Sequence, residues 1–226
     1  MRRLPERPGA LLLDLDGTLI DSRRDLAAAT NRLLAEHGLA PLPLDQVCSY
    51  IGNGARTLVR RALDAADPDG SVPRSQQVLR GFLQHYEAVL LDTTVPFPGV
   101  VDGLARLTDA GLPLAVVTNK PIGPTLRILD ALDLAGWFGA VLGGDSLPTK
   151  KPDPAPLREA AAALGVTADR CVLVGDSDVD MEAARNAGVP GVWCSWGGIH
   201  PDRPDHYDVA VSSFSELVQL VLSARP

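Results

Sequence analysis

The chain has 226 residues, 46% of them apolar, and a formal net charge of −7, enough for one domain with a modest insertion and a full core. Its acidic balance gives no general attraction for nucleic acid. The basic start Met1-Arg2-Arg3 precedes an apolar stretch that is short and broken by Asp14; this suits neither a signal peptide nor a membrane span, so a cytoplasmic protein with no membrane partner is expected. Cys48, Cys171 and Cys194 lie far apart with no Cys-x-x-Cys pair, which fits a reducing compartment and small packing residues rather than structural zinc.

In chain order, the apolar run that begins at Ala10 predicts a buried strand ending at Asp16. It runs into Asp14-Leu15-Asp16-Gly17-Thr18, where two carboxylates one residue apart meet a glycine turn. An unpaired charge in such an apolar setting costs several kcal/mol, so a cation is expected beside this pair. Asp21 and Ser22 read as the N-cap of a helix over about 23–37, with Leu26, Thr30, Leu33 and Leu34 on one face and Gly38 as its stop. The proline-rich residues 41–50 read as a loop. Helices over about 54–66 and 74–91 flank the turn signals Asp67-Pro68-Asp69-Gly70. No strand is predicted between residues 21 and 93, so this stretch reads as a small all-helical insertion.

From Pro96 onward strands and helices alternate. Strands are predicted at 114–117, 140–142, 171–174, 191–194 and 208–211, and helices at about 100–110, 123–134, 154–164, 178–187 and 213–222. This pattern implies an α/β protein with a parallel sheet and helices on both faces. In such sheets the ligand site lies beyond the carboxyl ends of the strands. Three strands, the first among them, end in polar clusters, which should therefore converge.

Each later cluster has a plain and a chemical reading. Thr118-Asn119-Lys120-Pro121 is an ordinary polar turn, or a hydroxyl and a following amide that grip a phosphate oxygen. Lys150-Lys151-Pro152-Asp153-Pro154 opens a helix with solvated lysines, or sends Lys151 into the site as a fixed positive charge. In Gly175-Asp176-Ser177-Asp178-Val179-Asp180 the acids compensate a helix dipole, or Asp176 and Asp180, four apart, share one face while Asp178 points away. Of the 21 basic residues 18 are arginine, and the lysines are Lys120, Lys150 and Lys151 alone. Codon bias explains the avoidance of lysine, whereas a site that needs a compact ammonium explains the exceptions.

Taken in order, Asp14-x-Asp16, Thr118, Lys151 and Gly175-Asp176-x-x-x-Asp180 resemble the four motifs of the haloacid dehalogenase superfamily. The resemblance implies a Rossmann-like catalytic core of residues 1–20 and 94–226, with residues 21–93 as a helical cap inserted after the first strand. The gap from Lys120 to Lys150 leaves no room for a larger cap. It further implies Asp14 as nucleophile toward a phosphate ester, Asp16 as general acid and base, and Lys151, Thr118 and the Asn119 amide as the phosphate grip. Mg2+ would sit on Asp14, the carbonyl of Asp16 and Asp176, with Asp180 a supporting or water-bridged partner. Dehalogenating members lack the second acid, so Asp16 argues for phosphate transfer, and Thr18 favours phosphatases over sugar-phosphate mutases.

The cap would choose the substrate. Tyr50-Ile51-Gly52-Asn53-Gly54-Ala55-Arg56 sets a Gly-x-Gly turn at a helix start, where Asn53, Gly54 and Arg56 could hold a small carboxylate; the plain alternative has Arg56 pairing a surface acid. With Pro96-Phe97-Pro98-Gly99-Val100 and Thr118-Asn119-Lys120-Pro121, this stretch resembles the bacterial phosphoglycolate phosphatases, which implies 2-phosphoglycolate as substrate. A phosphatase for another sugar phosphate or pyrophosphate, a mutase and a phosphate-binding protein stand as alternatives, and monomer and homodimer are both open. His37, His85, His200 and His206 read as helix-end or surface residues. Trp193 and Trp196 read as packing residues, with Trp196-Gly197-Gly198 also placed to line a site mouth.

Overall fold

The computed structural model describes residues 4–5, 8–198 and 206–223; Met1-Arg2-Arg3 and His200 lie outside the described residues. The chain divides into two compact units, Met1–Asp21 with Pro96–Pro226, and Ser22–Val95. Among the described residues no helix is long and apolar enough to cross a membrane.

The first unit is built on β1 (Ala10–Leu13), four residues with no solvent exposure. The chain leaves this unit after β2 (Ile20–Asp21) and re-enters it at β3 (Val95–Pro96). It then alternates through α5 (Val100–Asp109), β4 (Leu114–Val117), α6 (Ile122–Ala131), β5 (Ala140–Leu142), α7 (Ala155–Ala163), β6 (Cys171–Gly175), α8 (Asp178–Ala187), β7 (Gly191–Cys194), β8 (Val209–Val211) and α9 (Phe214–Ser223). Six strands form one sheet in the order β5-β4-β1-β6-β7-β8, and every pair is parallel. Leu12 of β1 aligns with Ala115 on one side and Leu173 on the other.

Successive residues of a strand face opposite sides, so a strand buried on both faces must be apolar throughout, as β1, β4 and β6 are. On one face Ala10, Leu12, Ala115, Val117 and Leu173 pack with Leu157, Ala160 and Ala161 of α7 and Ala183 and Ala184 of α8. The small alanines let these helices approach the sheet closely. The chain moves outward from β1 through β4 to β5, then crosses back to β6 on the other side of β1. That reversal makes the carboxyl end of β1 the topological switch point, where open α/β sheets bind ligands.

The second unit is helical: α1 (Arg23–Glu36), α2 (Leu44–Cys48), α3 (Ala55–Ala66) and α4 (Gln76–Glu87). Its core contains Leu33, Leu34, Leu63, Phe82 and Tyr86, the last two stacked with centroids 6.0 Å apart. The expected loop at 41–50 is corrected by α2, which starts directly after Pro43, since proline suits a helix entrance. Ser22 occupies the N-cap position of α1, yet its side chain makes no capping bond to the first turn.

The polar anchor of this entrance is Asp25 instead, 1% exposed. Its carboxylate accepts the amides and hydroxyls of Thr93 and Thr94, at 2.5–3.1 Å. One buried carboxylate thereby ties the two ends of the helical unit together. Asp67, in the predicted turn, accepts from the amides of Ser71 and Val72, from Ser71 Oγ and from Arg74 Nη1. The Ser71 hydroxyl and the Val72 amide hold its carboxyl well below the usual carboxylate range.

Candidate active site

Asp14 follows the last residue of β1, and its amide donates to Val174 O of β6 at 2.9 Å. The chain then turns back sharply: Leu19 N donates to Leu15 O and Gly17 N to Ile20 O, both at 2.9 Å. Because β4 and β6 flank β1, their ends bring Thr118 and Asp176 to the same edge. Lys151 arrives from the segment before α7. That segment is fastened on two sides, by Asn119 Nδ2 donating to Lys151 O at 2.9 Å and by Asn186 Nδ2 donating to Pro152 O at 2.9 Å. The three strand-end clusters thus lie together, and the segment that carries Lys151 joins them.

At the centre Lys151 Nζ lies 2.9 Å from Asp14 Oδ1 and 2.5 Å from Asp180 Oδ1. Of the two acids read as sharing a helical face, Asp176 precedes the helix and only Asp180 is on it. Asp180 closes a capping box, its Oδ2 accepting from the amide and hydroxyl of Ser177, the N-cap of α8. Asp180 therefore caps the helix with one oxygen and pairs Lys151 with the other.

The cluster is short of positive charge. Asp14, Asp176 and Asp180 are 4%, 2% and 0% exposed, with ligand atoms all within 4.8 Å of one another, and one buried ammonium lies between two of them. Burial pushes Asp14 up to about 6, with Asp180 adding to the rise and Lys151 pulling against it. Burial and the charges of Asp14 and Asp180 raise Asp176 well above the usual carboxylate range. Burial acting on Lys151 favours loss of its proton, but Asp14 and Asp180 override this and raise it further, so it stays an ammonium.

A hard divalent cation fits this arrangement. Asp176 Oδ2 is buried and has no hydrogen-bond donor among the described residues, while Oδ1 takes a long bond from Thr18 Oγ1 at 3.4 Å. A side chain on Gly17, whose φ is +84°, or on Gly197 would collide with the Asp176 carboxylate. Oxygen donors, excess negative charge and a bare carboxylate oxygen are what Mg2+ or a similar ion requires. Asp14 and Asp176 have oxygens to offer; those of Asp180 are taken by Ser177 and Lys151.

For two residues the sequence reading named no partner. Lys120 Nζ contacts both oxygens of Asp16, at 2.8 and 3.0 Å, and is itself buried; its signal was the scarcity of lysine, of which two of three lie in the site. Trp196 does more than pack, since its indole N–H donates to Thr18 O at 3.0 Å and so holds the first loop, while Gly197 presses on Asp176 and Gly17. Of the histidines among the described residues, His37 ends α1, His85 bonds Glu36 at 2.7 Å, and His206 lies 3.0 Å from Arg185. Asn53, Gly54 and Arg56 belong to the second unit. Gly54 is the N-cap of α3, and exposed Arg56 donates to Gln76 Oε1 at 2.6 Å instead of pairing an acid.

A parallel sheet whose switch point carries a buried centre of carboxylates and a lysine defines a Rossmann-like α/β protein with a charged site at the carboxyl end of its strands. The family model described as haloacid dehalogenase-like hydrolase matches residues 11–194. A phosphoglycolate phosphatase of Caulobacter vibrioides is 42% identical over 198 residues, covering 87% of this chain and 84% of that protein. Another, of Psychrobacter arcticus, is 40% identical and covers 96% of both chains. Among solved structures, a predicted phosphoglycolate phosphatase from Haemophilus somnus superposes with a TM-score of 0.85 at 31% identity, over 95% of this chain and 98% of that one. The chain belongs to the haloacid dehalogenase-like hydrolases, and the expected fold class, a Rossmann-like parallel sheet, is the one observed.

Proposed function

We propose that this hydrolase is a Mg2+-dependent phosphatase for a small phosphomonoester, with 2-phosphoglycolate as its substrate. The observation that carries the reading is the buried Asp14–Lys151–Asp180 cluster beside the bare oxygen of Asp176. The substrate rests on the relatives named phosphoglycolate phosphatase, 40–44% identical over most of both chains.

Asp14 attacks phosphorus in line and forms an aspartyl-phosphate, dividing one difficult displacement into two. Asp16 donates a proton to the leaving oxygen, then takes one from the water that hydrolyses the intermediate. Lys151 lowers the repulsion between the carboxylate nucleophile and the phosphate it approaches. Thr118 and the Asn119 amide complete the grip on the phosphoryl oxygens. Asp14, Asp176 and the carbonyl of Asp16 would hold Mg2+, with Asp180 in support; when bound, the ion neutralises charge on the transferring group. Residues 21–93 act as the cap, where Asn53, Gly54 and Arg56 are candidates for the substrate's carboxylate. The acidic chain and its free thiols suit a cytoplasmic enzyme.

The test is phosphate release from a panel of small phosphomonoesters with Mg2+ and with chelator. Strong preference for 2-phosphoglycolate, abolished by chelator and by Asp14→Asn, is expected. Broad or differently directed turnover would remove the substrate and leave the chemistry. Turnover that survives Asp14→Asn would remove the chemistry, and unchanged 2-phosphoglycolate kinetics in Arg56→Ala would remove the carboxylate grip.

A further inference from the structure

Lys120 lies in the first unit, at the carboxyl end of β4, and its side chain is 3% exposed. A lysine is rarely buried this far without a partner for its charge. Its ammonium meets both carboxylate oxygens of Asp16, at 2.8 and 3.0 Å, across 104 residues of sequence. The backbone that carries it is held from several directions. Lys120 N donates to Thr118 Oγ1 at 3.3 Å, Lys120 O accepts from Gly144 N at 2.7 Å, and the preceding Asn119 is tied to Lys151 O. The stem of Lys120 therefore leaves a fixed point in a fixed direction. Asp16 stands just before the turn at Gly17–Leu19, bridged to Ile20, and is the more exposed partner, at 12%.

We propose that Lys120 is the positioning residue for Asp16, holding its carboxyl group where it meets the leaving oxygen of the ester. A general acid must lie within about 2.6–3.2 Å of the atom it protonates. An aspartate carboxyl rotates about two side-chain bonds, and the ammonium contact, made to both oxygens when Asp16 is ionised and kept through one when the other carries the proton, restricts that rotation. The residue type supports the role. This chain uses arginine at 18 of its 21 basic positions, yet here it places an ammonium, compact enough to reach both oxygens from one side without the volume of a guanidinium fork. Lys120 acts through Asp16. The inference rests on the phosphatase reading above, though not on which ester is the natural one.

The test compares wild type, Lys120→Met, Asp16→Asn and the double variant by kcat/KM on three esters, with folding checked by circular dichroism. They are 2-phosphoglycolate, 2-hydroxyethyl phosphate, which keeps an alkyl leaving group without a carboxylate, and p-nitrophenyl phosphate, whose leaving group departs without a proton. Lys120→Met should lose about 10²-fold on both alkyl esters, the lower end of what general-acid catalysis supplies, and less than about tenfold on the nitrophenyl ester. On the alkyl esters the double variant should be no slower than Asp16→Asn, since the two residues act as one unit. Retained nitrophenyl turnover also shows that the variant folds. Equal loss on all three esters, or no loss on any, overturns the proposal. Loss confined to 2-phosphoglycolate overturns it too, assigning Lys120 to the substrate's carboxylate. A wild type that releases phosphate from none of them removes both this inference and the phosphatase reading.

Discussion

Replacing Lys151 with methionine keeps most of the buried stem and removes the charge between Asp14 and Asp180. The contacts are 2.9 and 2.5 Å; at an effective dielectric of about 20 each is a gross attraction of roughly 6 kcal/mol. Desolvation of three buried charges offsets most of that, and removing one partner of a buried pair has a net cost of about 3–5 kcal/mol. In a chain of this size 1 kcal/mol moves Tm by about 2–4 °C, so Lys151→Met should lower Tm by roughly 10 °C. The assay is thermal unfolding followed by circular dichroism, in chelator at pH 7.5, beside phosphate release. Turnover should fall by at least about 10²-fold, as when a charge-stabilising donor is lost. Adding Asp180→Asn removes one stranded carboxylate while keeping a similar shape for the Ser177 cap. That second change should return part of the lost Tm and none of the activity. A Lys151→Met protein that melts within about 2 °C of wild type would refute the view that this ammonium sustains the buried carboxylates.

Three further outcomes are expected. Burial raises Asp14 from 3.8 to about 6 in the folded metal-free chain, so that state binds its proton more tightly than the unfolded one and loses stability as pH rises from about 4 to 6. Mg2+ needs the ionised form, so the rise in Tm on adding Mg2+ should be larger at pH 7.5 than at pH 5.5, and an equal rise at both would count against Asp14 as a ligand. Gly197→Ala drives a methyl into the Asp176 carboxylate and Gly17 O and should abolish Mg2+ binding in calorimetry, at about 1–3 kcal/mol of overpacking strain; wild-type affinity in this variant would remove Asp176 from the metal site. Asp25→Ala strands the amides and hydroxyls of Thr93 and Thr94 and should lose about 3 kcal/mol in urea unfolding, whereas a change below about 1 kcal/mol would mean that water replaces the carboxylate.

Much of the site was legible in the sequence because its residues break local rules. Asp14 follows an apolar strand, where an acid has no structural reason to be, and Asp176 follows another. The elements were legible because strands buried on both faces must be apolar throughout, and because helix ends carry their own marks, such as Gly38 after α1 and Gly188 at the end of α8. These are properties of neighbouring residues, set by dihedral preference and by the need to satisfy backbone groups at helix termini.

The pairings are another matter. Nothing near Lys120 in sequence indicates that its ammonium belongs to Asp16, 104 residues away, and nothing near Asp25 points to Thr93 and Thr94. Asp180 could be read as dipole compensation or as a metal-site acid. Only the place of Lys151, brought in beside Asp14 across 137 residues, makes it a charge partner as well as a cap. Strand order decides such contacts: β1 lies between β4 and β6 because the chain crosses back over the sheet after β5. That crossing is favoured by the burial of whole faces, summed over many side chains, and no single residue carries its mark.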